Sequence, residues 1–143
     1  MEKLQQYLPS TTVASALVEI YFDHGAWLSA FLLQTMYRFT SLTVPCRYNP
    51  ISKTRFFEEV YNPVYSSEAG QNSLLAITSH NAALLFIVLT LGSFLSNDND
   101  TDTTEHYHQL ARTAMSCDAI LVDPTMPAIR TLVSTLLQLR ISS

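Results

Sequence analysis

His80-Asn-Ala-Ala-Leu-Leu-Phe-Ile-Val-Leu-Thr-Leu-Gly-Ser-Phe-Leu95 is the most apolar stretch of this 143-residue chain, and it carries no charge from Ala82 through Ser96. Such a segment must be buried. Three hosts are available: a protein core, a membrane, or a larger domain of which the chain is a part. The expectation is the third. A helix over about 73–95 would lead with Ile77, Leu84, Ile87, Val88, Leu91 and Leu95, but Leu85, Phe86 and Leu89 are apolar too. A helix that is apolar all round lies inside a bundle. Gly92 costs about 1 kcal/mol against alanine in a helix, and close approach of a neighbouring helix backbone would offset that cost.

The membrane reading is the weaker one. Apolar runs of about 10–14 residues are core helices more often than spans, which need about 20. Extension toward Leu74 brings in Ser79, His80 and Asn81, which are costly in lipid. A small helical membrane-associated protein using 82–95 remains the alternative reading. A membrane partner is otherwise not expected.

Outward from this stretch the pattern is helical. Pro9 biases Leu8 toward extended backbone, and Ser10, Thr11 or Thr12 can cap a helix. Val13, Leu17, Val18, Tyr21, His24, Leu28, Phe31 and Leu32 then recur at helical spacing, toward about Arg38. Residues 39–50 read as a loop bounded by Pro45 and Pro50. Ser52 caps a short helix through Tyr61, which Pro63 ends. Ser96–Thr104 reads as an acidic loop, with Thr103 or Thr104 capping a fourth helix marked by Tyr107, Leu110, Ala111, Ala114, Met115 and Leu121. A fifth helix follows the Thr125 cap, with Ile129, Leu132, Val133, Leu136 and Leu137 on its face. The fold class is all-α: a partial bundle of about five helices around the central apolar one. The residues expected to carry its packing are Leu17, Tyr21, Trp27, Leu84, Ile87, Val88, Leu91, Gly92, Leu110, Leu132 and Leu136.

Composition narrows the function. The apolar share is 48% and the charged share 14%, against about 25% charged in an average soluble domain. This excess implies apolar surface that meets a partner or further sequence. Net charge is −4, with no lysine after Lys53, which argues against nucleic-acid binding, since phosphate contacts need clustered Lys and Arg. Cys46 and Cys117 form no zinc spacing. Asp98, Asp100 and Asp102 match the first ligands of a calcium loop, but Thr103 and Gln109 stand where the glycine and the bidentate glutamate belong. His106 and His108 are two apart and cannot chelate one metal from one helix face; both read as surface or flank residues. His24 and His80 fall on apolar faces and read as core histidines. Asp118 beside Cys117 raises a thiol's pKa rather than activating it. No catalytic motif is present, and the chain is not expected to be an enzyme.

Four stretches resemble the fungal-specific transcription factor domain, the regulatory region of zinc binuclear cluster transcription factors. They are Tyr7-Leu8-Pro9 with Ala16–His24 and Trp27; Phe56–Tyr65; Ala83–Ser93; and Tyr107–Arg112 with Pro127–Leu137. Their order and spacing follow that domain over nearly the whole chain. The resemblance implies a regulatory role in the nucleus. It implies protein partners: the rest of such a domain, a second copy, or coregulators. Relatives bind DNA through a six-cysteine zinc cluster. With two cysteines this chain has no such module, so no cofactor and no DNA-binding residue is carried over. The family domain is longer, so 1–143 reads as its N-terminal part. In such relatives the tryptophan helix runs almost directly into a Tyr-Asn-Pro-like segment. Here Ser29–Arg47 separates Trp27-Leu28 from Tyr48-Asn49-Pro50, which implies an insertion at 29–47, such as an intron retained in frame.

Overall fold

The computed structural model describes residues 2–25, 51–66, 74–96 and 101–117. Among these the chain is mostly helical with no strand, the all-α class that the sequence implied. Trp27, the 29–47 segment, and the fifth helix with Leu132 and Leu136 lie outside the described residues.

A four-residue helix α1 (Glu2–Gln5) opens the chain and buries Leu4. Helix α2 (Thr11–Ile20) begins at Ser10, whose hydroxyl accepts from the Val13 N–H at 3.4 Å. It widens into a π-helical turn over Tyr21–Gly25. Its buried face is Ala14, Val18 and Tyr21, with Leu17 half-buried. Val13 is 47% exposed and His24 is exposed, so the apolar stripe read from spacing is displaced at both ends.

Helix α3 (Lys53–Phe56) runs through a second π turn, Phe57–Tyr61, directly into α4 (Asn62–Tyr65). Pro63 therefore does not end the helix as expected. The π turn closes with the Asn62 N–H on the Phe57 carbonyl, and Pro63 sits in the first turn of the α segment that follows. Tyr61 and Asn62 before it keep helical dihedrals (φ −72°, ψ −54° and φ −60°, ψ −44°), so the helix passes through the proline despite its missing N–H.

The central helix α5 spans Ser79–Leu95. It begins later than residue 73, because Thr78 is extended (φ −71°, ψ 159°) and its hydroxyl accepts from the Asn81 N–H at 3.3 Å. Such a cap defines a helix start. Before it lies a 3₁₀ turn, Leu74–Ala76. Helix α6 (Thr101–Ser116) also starts elsewhere than expected. Thr103 and Thr104 are inside it, and the Thr104 hydroxyl reaches across to Ser93 at 3.0 Å instead of capping. Asp102 is the acid in the first turn, where the helix dipole favours it.

Helices α5 and α6 form a hairpin and share the largest interface in the described fold; α2 and both π turns cover other sides of α5. Every residue from Ala82 through Ser93 is buried. The chain's own residues thus bury this helix from Ala82 through Ser93, while Asn81, Phe94 and Leu95 stay partly exposed. Thr90 satisfies its hydroxyl on the Phe86 carbonyl at 2.8 Å.

Gly92 is where α2 comes closest. A Cβ placed there would stand 2.2 Å from the Leu17 carbonyl oxygen and 2.8 Å from its carbon. The obstruction is backbone, so no side-chain adjustment relieves it. Gly92→Ala should lower the free energy of unfolding by about 2 kcal/mol or more through overpacking, although alanine in an open helix gains about 1 kcal/mol. Urea unfolding measures the sign, and Leu17→Ala should not rescue the variant.

Candidate functional site

The expected packing residues within the described segments converge on α5. Tyr21, Leu84, Ile87, Val88, Leu91, Gly92 and Leu110 are buried, and Leu17 is half-buried with its backbone against Gly92. Sequence spacing missed the small residues Ala14, Ala82 and Ala83, whereas Ala111 and Ala114, expected on the α6 face, are buried there; all five are at most 1% exposed.

A second cluster lies between the two π turns. The Phe22 ring meets Phe56 at 5.6 Å and Phe57 at 6.3 Å. The rings continue from Phe57 to Tyr61 at 5.1 Å and from Tyr61 to Tyr65 at 4.8 Å, the last pair stacked. Lys53 lies over the Phe22 ring and binds the Glu19 carboxylate at 2.9 Å, joining α3 to α2. Both partners of that ion pair are about half exposed, so solvent screens it and its contribution is small. The tyrosines also hold the N-terminal segment. The Tyr65 hydroxyl donates to the Pro9 carbonyl at 3.3 Å and the Tyr61 hydroxyl to the Thr11 carbonyl at 3.4 Å.

The histidines divide differently from the sequence reading. His80 is buried, as expected, but His24 is exposed. His106 is exposed against the Tyr7 ring, whereas His108 is buried rather than on the surface. α6 turns Tyr107, His108 and Ala111 toward the core, and His108 lies within that face. Its Nδ1 lies 3.9 Å from Glu105 Oε2, and its buried Nε2 has no hydrogen-bond partner among the described residues.

Among the described residues no group of three His, Cys, Asp or Glu is placed to hold a metal. Asp98 and Asp100 lie outside them, while Asp102 is in α6. Ser96, Thr113, Ser116 and Cys117 each donate to a backbone carbonyl, and Ser93 pairs with Thr104. None of these bonds joins a nucleophile to a base. Among the described residues no helix is long and apolar enough to cross a membrane; α5 has 17 residues. No family model, no curated protein and no solved structure matches this chain.

Two outcomes test this account. Burial holds the Tyr21 and Tyr65 phenols neutral well above their ordinary value of 10.0. The unfolded chain releases those protons first. Stability should therefore be complete below about pH 10 and fall as pH rises above it. Tyrosinate absorbance should rise together with loss of helical circular dichroism. His108→Leu should raise stability by about 1 kcal/mol, because it removes an unsatisfied buried nitrogen. His106→Leu, at an exposed position, should leave denaturant midpoints nearly unchanged.

Proposed function

We propose that the chain is a regulatory or interaction region of a fungal transcription factor. In this reading it acts in the nucleus by helix packing with protein partners. DNA contact belongs to a zinc-cluster module outside these 143 residues.

One observation supports the reading most. The stretches that carry the resemblance, where described, pack on one another. Pro9 of the first is held by Tyr65 of the second, and Phe22 meets Phe56 and Phe57. Leu17 lies against Gly92 of the third, and α5 pairs with the helix that carries Tyr107–Arg112. Segments with a common folding role are expected to keep their order and spacing together. The packing is equally consistent with the modest charge: a chain rich in apolar residues and poor in lysine suits protein contacts better than phosphate contacts.

Fusion of the full chain to a heterologous DNA-binding module in a fungal host tests the proposal. Reporter output should change severalfold, and Gly92→Leu should abolish the change by breaking the α2–α5 contact. A folded, expressed fusion that leaves reporter output unaltered overturns the regulatory reading.

A further inference from the structure

We draw no further inference here: the strongest candidate, the buried His108 on the core side of α6 with Glu105 3.9 Å from its Nδ1, carries nothing, because its unpartnered Nε2 is already accounted for as a stability cost of the core and, among the described residues, no group of three His, Cys, Asp or Glu is placed to make it a metal site.

Discussion

At Gly92 two helices meet backbone to backbone, and the rest of the fold is arranged around that contact. The Leu17 carbonyl occupies the space a Cβ would need. This fixes how close α2 comes to α5 and at which turn. The next residue, Ser93, faces a different neighbour, the Thr104 hydroxyl of α6. Two successive positions thus hold two helices on different sides of one rod. A helix with no polar face needs such neighbours in several directions, and the chain supplies them with α2, α6 and the two π turns.

The π turns answer a geometric demand of that arrangement. A wider turn shifts the following side chains relative to an α-helix, and such turns mark places where a helix departs from its regular register. Here they carry Tyr21, Phe22, Phe57 and Tyr61. Phe22 reaches Phe56 and Phe57, so α2 and α3 join through rings rather than through a long helical interface. Edge-on ring contacts favour such geometry. Tyr61 and Tyr65 then turn their hydroxyls to backbone carbonyls at the start of the chain. One aromatic series both closes the core and holds the N-terminal segment.

Much of this was legible in the sequence, and the remainder was not for identifiable reasons. Uniform apolarity from Ala82 to Leu91 gave burial on all sides, and a glycine inside it pointed to a close neighbour. The same uniformity hid which face meets which helix, because no polar side marks the outside. Helix starts were ambiguous where several hydroxyl residues stand in a row. Thr103 and Thr104 both read as the cap, yet both lie inside α6, and Thr104 pairs with Ser93 across the interface instead. Pro63 was misread because a preceding π turn cannot be seen in spacing. His24 and His108 exchanged places for a related reason. The π turn over Tyr21–Gly25 rotates the end of α2 away from the stripe, whereas His108 lies on the buried side of α6. The site was readable only as a lack of motifs. The hold on the N-terminal segment was not readable at all, since it depends on Tyr61 and Tyr65, which lie 50 and 56 residues from their partners Thr11 and Pro9.

The Ser93–Thr104 pair shows why this core adopts one register. Apolar side chains can slide past one another at modest cost, since volume-conserving repacking is tolerated. Two buried hydroxyls cannot. Shifting α6 by one turn along α5 would separate the two hydroxyls, and a buried hydroxyl left without a partner costs about 1–3 kcal/mol. The hairpin is therefore held in place by a polar pair worth little when satisfied and costly when broken. Gly92 does the same for α2 by steric exclusion. These two neighbouring positions supply the specificity that the surrounding leucines, valines and alanines cannot supply themselves.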